Sequence, residues 1–152
     1  MNKDDNILIM YKKIEIVPYN GTILISFFPT LESIYPLSTL NKGYTYNPES
    51  IYIDTINEQE IEFGDRGKVE VFCYVAENKN DYQNEALRLK EKFLCETILN
   101  NIDKTNTINI VGDITDIDPE DKDSTIILPK NRDFLQISIF KKDSKKFYVL
   151  FL

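Results

Sequence analysis

The clearest fold signal in the sequence is the run Lys68-Val69-Glu70-Val71-Phe72-Cys73-Tyr74-Val75. Valine or cysteine occupies every second position, and polar or aromatic residues stand between them. Successive side chains of a strand point to opposite faces of a sheet, so this alternation predicts a strand with one face in a core. Much of the chain on either side of this run carries the same β-branched, period-two signature.

The segments before and after this run also have the pattern of β-strands. Two apolar runs at 14–17 and 22–28 flank Asn20-Gly21, a pair that suits a type I′ turn, so the pattern predicts a β-hairpin. The remaining candidate strands are residues 50–54, 60–63, 107–111, 125–128, 134–140 and 146–152. The last of these is so apolar that we expect it to be buried on both faces or covered by a helix.

A single segment has a helical signature. Residues 82–102 are rich in Leu, Glu, Lys and Ala and contain neither Gly nor Pro. At 100° per residue their apolar side chains form one broad arc, which Lys90 and Glu91 interrupt. We therefore predict one long covering helix at about 81–102. With about eight strands and no helical crossovers, the predicted fold is mainly β, a single-domain antiparallel β-sandwich over 1–152.

The composition excludes several kinds of chemistry. The 152 residues include no histidine, which removes the usual general base and the commonest zinc ligand. The two cysteines, Cys73 and Cys95, cannot close a zinc site, and buried reduced thiols are favoured over a disulfide. We expect no metal, no cofactor and no enzymatic activity. The absence of a long apolar run and of a signal-peptide pattern predicts a soluble, cytoplasmic protein.

The formal charge of -7 is concentrated in two segments. Residues 49–65 carry six acids and no base, residues 113–123 carry six acids and one lysine, and the rest of the chain sums to +4. Such charge disfavours nucleic acid and anionic membranes as partners and favours a basic protein. The predicted partner-binding residues are Glu49, Tyr52, Asp54, Glu58, Glu60, Glu62, Asp65, Asp113, Asp116, Asp118, Glu120, Asp121 and Asp123.

Three interpretations of these acids stay open. They can be solvated loops of a structural or phage-borne accessory domain. They can bind a divalent metal or belong to a carboxylate-based enzyme, because Asp116, Asp118 and Glu120 alternate as calcium ligands do, although Pro119 and Asp121 depart from the EF-hand pattern. They can form a protein-recognition surface in which neighbouring tyrosines serve as anchors.

One further observation favours the third interpretation. The stretch 42–53, with Gly43-Tyr44 and a turn before Ser50, resembles the competence protein J family, the inhibitors of the bacterial DNA-entry nuclease. Residues 127–129 followed by Phe134 are similar to that family's Leu-Pro strand entry, although residues 131–133 replace its glycine turn. The resemblance implies a small β-rich fold and a nuclease inhibitor, and it assigns no functional residue. We therefore expect a non-enzymatic inhibitor or immunity-type protein that binds a basic nuclease or toxin.

Overall fold

A computed structural model describes residues 9–17, 22–27, 43–54, 68–102, 104–112, 123–143 and 145–152. The candidate strand at 60–63 lies outside them. The described elements are β1 (Ile9–Ile16), β2 (Thr22–Phe27), β3 (Tyr44–Asn47), β4 (Ser50–Asp54), β5 (Val69–Ala76), α1 (Lys79–Arg88), a 3₁₀ turn (Lys90–Lys92), β6 (Phe93–Asn100), β7 (Thr107–Val111), β8 (Thr125–Ile127), β9 (Phe134–Asp143) and β10 (Lys146–Phe151).

The strands form two five-stranded sheets that pack face to face. Sheet A has the order β1-β5-β10-β9-β6, and sheet B has the order β3-β4-β2-β7-β8. One apolar cluster joins their inner faces, with Val71 and Phe147 from sheet A and Ile25 and Ile51 from sheet B among its members. The predicted mainly β sandwich is confirmed. Its pairs are antiparallel except for β5 and β10, which run parallel.

Strand β10 lies at the centre of sheet A and is buried on both faces, as its composition predicts. It pairs with β5 on one side and β9 on the other. Phe147, Val149 and Phe151 point into the core between the sheets. Leu150 points the other way, into a second cluster beneath α1 that also contains Ala76, Tyr82, Leu89 and Phe140.

The prediction of one helix over 81–102 is wrong in its second half. Helix α1 ends at Arg88, and residues 93–100 form β6, the edge strand of sheet A. The inward-facing residues of β6, Cys95 and Leu99, are buried, whereas Ile98 between them is exposed. Pairing with β9, continuous from Cys95 to Asn100, outweighs the modest helix propensity of these residues. The break falls at Lys90–Lys92, where charged residues interrupt the apolar arc.

The predicted hairpin of the first two strands is also wrong. Strand β1 pairs with β5 in sheet A, whereas β2 pairs with β4 and β7 in sheet B. Asn20-Gly21 lies outside the described residues. The Asn-Gly signal is local, while the pairing is decided by burial: Ile14 and Ile23 face the same core from opposite sheets.

The two cysteines lie on one cross-strand row of sheet A. Cys73 is opposite Val149, Val149 is opposite Ile139, and Ile139 is opposite Cys95. Three strand spacings place the two Cα atoms about 14 Å apart, beyond the reach of a disulfide. Both thiols are free and buried, as predicted. Among the described residues, no helix combines the length and apolar character needed to cross a bilayer.

Because β10 is central in sheet A, we expect truncation of its Phe151 side chain to destabilise the protein strongly. Phe151 is fully buried and lies opposite Val75 and Ile137. We expect Phe151→Ala to lower the free energy of unfolding by about 3–5 kcal/mol, measured by urea denaturation. The exposed Lys142→Ala on β9 is the control and should change it by less than about 0.5 kcal/mol. A cost below about 1 kcal/mol for Phe151→Ala would contradict a central β10.

Candidate functional site

The strand order of sheet B brings the ends of β4 and β7 close together, and each of these strands leads into one of the two acidic segments. Strands β4 and β7 flank β2, and each is antiparallel to it, so β4 and β7 run in the same direction. Asp54, the last residue of β4, pairs with Thr22, and Val111, the last residue of β7, pairs with Leu24. The two strands end about 12 Å apart at one end of the sheet, because two strand spacings separate them and their partners on β2 are two residues apart.

We call this region, marked by Asp54, Val111 and Asp123, the acidic end of sheet B. Strand β8 is antiparallel to β7 and starts here, because Ile110 N donates a hydrogen bond to Ser124 O at 2.9 Å. The end of β7 and the start of β8 therefore lie at the same end of sheet B. Asp123 is exposed just before the start of β8.

A lysine of the opposite sheet contacts the acidic end. Lys12 Nζ of β1 donates a hydrogen bond to Thr125 O of β8 at 2.8 Å. This bond ties the edge of sheet A to the edge of sheet B next to Asp123. The start of β8 is therefore held by hydrogen bonds from both sheets, one from Lys12 of sheet A and one from Ile110 of sheet B.

The described residues place two of the predicted binding residues elsewhere. Glu49 lies in the turn between β3 and β4, at the opposite end of β4 from Asp54, and is half-buried. Tyr52 is 5% exposed and packs with Leu24 and Val111 on the outer face of sheet B. Burial raises the pKa of Tyr52 to about 12, and neighbouring Ser50 partly offsets that rise. Tyr52 is therefore not an exposed interface anchor.

The other predicted binding residues lie outside the described part of the chain: Glu58, Glu60, Glu62, Asp65, Asp113, Asp116, Asp118, Glu120 and Asp121. The same is true of the residues that carry the calcium alternative. Within the described ranges, no group of three His, Cys, Asp or Glu side chains is arranged to hold a metal ion.

A second candidate site lies on the outer face of sheet A. A groove of about 460 Å³ runs between α1 and strands β6 and β9, and we call it the α1 groove. Its floor is formed by Glu96 of β6 and Gln136 of β9, and Tyr82 of α1 reaches down to them. The other residues that line it are Lys79, Gln83, Ala86, Leu87 and Lys90.

Three donors converge on one carboxylate oxygen in this groove. Glu96 Oε2 accepts hydrogen bonds from Tyr82 OH at 3.0 Å, Gln136 Nε2 at 2.7 Å and Ser138 Oγ at 3.1 Å. The hydroxyls of Tyr82 and Ser138 also contact each other. The register of the sheet explains the cluster, because Glu96 is directly opposite Ser138 and diagonal to Gln136. The carboxylate is therefore fixed in orientation before any ligand arrives.

The environment of Tyr82 keeps its hydroxyl protonated. Burial raises the pKa of Tyr82, and the negative charge of Glu96 raises it further, although the contact between the Tyr82 and Ser138 hydroxyls lowers it in part. Tyr82 is 3% exposed. The hydroxyl thus remains a hydrogen-bond donor throughout the physiological pH range.

Sequence reasoning missed the α1 groove because it placed Tyr82 and Glu96 on one long helix. A signal for part of it was present. Gln136 and Ser138 are two polar residues at a spacing of two within an otherwise apolar strand. Such a pair marks one face of a strand, and a polar pair on a face covered by a helix indicates a buried polar cluster.

The comparisons with known proteins show one fold relationship. No protein-family model matches the chain, and no curated protein matches its sequence. The structure is similar to the crystal structure of ComJ from Bacillus subtilis, an inhibitor of the DNA-degrading activity of NucA. The TM-score is 0.56, the sequence identity is 14%, and the match covers 94% of this chain and 96% of ComJ. The resemblance to the competence protein J family is thus confirmed at the level of the fold.

Tyr52 and Tyr82, both buried, offer a matched test of the α1 groove. We expect Tyr82→Phe to lower the free energy of unfolding by about 1.5–3 kcal/mol, because it removes a donor to a charged group. Tyr52→Phe should change it by less than about 1 kcal/mol, because the neighbour of the Tyr52 hydroxyl, Ser50, is an uncharged group. Urea denaturation measures both values. Equal costs at the two positions would contradict the described hydrogen bonds of Tyr82.

The buried thiols and phenols predict a loss of stability at alkaline pH. Burial raises the pKa of Cys95 and of Tyr52 to about 12 in the folded protein. The unfolded chain therefore loses these protons first, from a pH of about 9 upward for the thiol and about 10 for the phenol. We expect the free energy of unfolding to be constant up to about pH 8.5 and to fall at higher pH.

Urea denaturation at a series of pH values from about 8 to 11 measures this fall. Tyr52→Phe should lose less stability than the wild-type protein above about pH 10, because the variant lacks one of the raised groups. A free energy of unfolding that stays constant up to about pH 11 would contradict the burial of these side chains.

Proposed function

We propose that this protein is a non-enzymatic inhibitor that binds a DNA-degrading nuclease through the two acidic segments rooted at the acidic end of sheet B. The observation that carries the proposal is the parallel course of β4 and β7. The last residues of these strands, Asp54 and Val111, lie at one end of sheet B, and residues 55–65 and 113–123, which come after them in the sequence, hold most of the acids of the two clusters.

The chemistry of the partner supports this choice. A nuclease binds a phosphate backbone, so its substrate cleft is lined by cationic side chains. Clustered carboxylates compete for the same cations and raise the rate of association by electrostatic steering. A binder of this kind needs no catalytic group of its own, in keeping with a chain that contains no histidine.

The rigidity of β4 and β7, the strands that lead into the acidic segments, also supports the proposed binding surface. Ile51 and Ile53 of β4, and Ile108 and Ile110 of β7, are fully buried in the core between the sheets. The ends of the two strands are therefore held at a fixed separation. Fixed anchors reduce the entropy that two charged segments lose when they bind one partner.

The fold supports the class of function. ComJ, whose fold this chain shares over nearly its whole length, inhibits the DNA-degrading activity of NucA. We extend that role to this protein as part of the proposal. The choice of the acidic end as the binding surface comes from the topology of sheet B and from the charge distribution of the sequence.

The test is a charge reversal with a matched control. The variant with Glu58, Glu60 and Glu62 changed to Lys should bind at least about tenfold more weakly, because it replaces attraction by repulsion at the surface. The control changes Glu77, Glu91 and Asp133 to Lys, which alters the formal charge equally at exposed positions away from the acidic end. It should bind like the wild-type protein.

The assay measures plasmid degradation by two probes, NucA and the nuclease encoded nearest to this chain in its genome. The wild-type protein and the control should inhibit at least one of them, and added salt should weaken that inhibition because the attraction is screened. Inhibition by the acidic-end variant equal to that of the control would overturn this surface. Failure of the wild-type protein to inhibit either nuclease would overturn the proposed function.

A further inference from the structure

The α1 groove carries a pattern of charge that the proposed function does not use. Glu96 lies on its floor, while Lys79 and Lys90 stand near the two ends of α1. Eleven residues of mostly helical rise separate the lysines by roughly 16 Å. Both lysines are exposed. The groove therefore presents a negative centre between two positive ends.

The central carboxylate has capacity for a ligand. All three hydrogen bonds that Glu96 accepts from the described residues end on Oε2. Oε1 of the same carboxylate is available to a cation, and the side chain is exposed towards the groove. Because the three donors fix the carboxylate in advance, a guanidinium or ammonium group meets it in a single orientation.

The rim of the groove is apolar. Leu87 of α1 is 64% exposed, Ile98 of β6 is 54% exposed and Phe134 of β9 is 62% exposed. Ile98 is opposite Gln136, a residue of the groove floor, and Phe134 is the next residue of β9 on the same face. Exposed apolar side chains grouped beside polar ones are typical of a protein-interaction surface. A partner of protein origin thus fits better than a free cation.

We propose that the α1 groove binds an extended segment of a partner protein with the pattern acid-x-Arg-x-acid. The arginine pairs with Glu96 and lays its methylene groups on Ala86 and Leu87. In an extended segment the two acids lie on the same side as the arginine and about 13 Å apart. That spacing suits Lys79 and Lys90. This second site lies on sheet A and goes beyond the nuclease-binding role of sheet B.

A synthetic peptide is the probe. The peptide acetyl-Gly-Glu-Ser-Arg-Ser-Glu-Gly-amide is titrated into the ¹⁵N-labelled protein, and NMR follows the backbone amides of Gln83, Glu96 and Gln136. We expect these amides to shift in a saturable manner. A peptide with citrulline in place of arginine, which has the same shape without the charge, should bind at least about tenfold more weakly.

Variants of the protein assign the contacts. Glu96→Gln keeps the shape and the acceptor oxygen for Tyr82 but removes the charge, and it should weaken binding of the arginine peptide at least about tenfold. Glu91→Gln removes a charge from the exposed 3₁₀ turn outside the groove and should leave binding unchanged. The double variant Lys79→Gln with Lys90→Gln should weaken binding of the acid-flanked peptide. It should leave unchanged the binding of a peptide with serine in place of both acids.

Several outcomes would overturn the proposal. They are the absence of groove shifts at the highest soluble peptide concentration, equal binding of the citrulline peptide, and unchanged binding to a correctly folded Glu96→Gln variant. Argininamide that binds as tightly as the peptide would assign the groove to small cations instead of a protein segment. Glu96→Gln should inhibit nuclease as well as the wild-type protein, so failure here is separable from failure of the proposed function.

Discussion

Burial of β10 between two apolar layers is the interaction on which the rest of the structure depends. Its inward side chains complete the core between the sheets, and its outward side chains form the surface on which α1 packs. Each fully buried Phe, Val or Leu contributes about 1.5–3 kcal/mol. Without β10, strands β5 and β9 would both become edges and α1 would lose its support. The position of Tyr82 over the α1 groove therefore depends on a strand that does not line it.

Sequence periodicity predicted the strands whose alternation is strong, and the run 68–75 is the best example. It failed for residues 93–100, where a period-two pattern and a helical arc coexist in one short apolar segment. Periodicity cannot separate the two at that length, and pairing with β9 decides the outcome. The Asn-Gly signal failed for a related reason, because a turn signal describes four residues while the partners of β1 and β2 are at least 24 residues away.

The candidate sites were predictable to different degrees. The segregation of acids is visible in the sequence, but the common end of β4 and β7 follows only from the strand order of sheet B. Glu49 and Asp54 are close in sequence, yet they lie at opposite ends of β4, and the Tyr52 side chain between them is buried, so the three residues do not form one exposed patch. The α1 groove needs the pairing of β6 with β9, two strands about 40 residues apart, which no local pattern reports.

The cross-strand row that holds Cys73 and Cys95 prevents these two thiols from forming a disulfide with each other in the folded sheet. A disulfide needs Cα atoms about 4.4–6.8 Å apart, and three strand spacings of about 4.8 Å separate these two. Burial raises the pKa of both thiols, so neither is a nucleophile while sheet A is closed. Each thiol becomes open to alkylation only when its own strand separates. Because Cys95 lies on the edge strand and Cys73 lies next to the centre, their two alkylation rates report separately on fraying of the edge and on opening of the whole sheet.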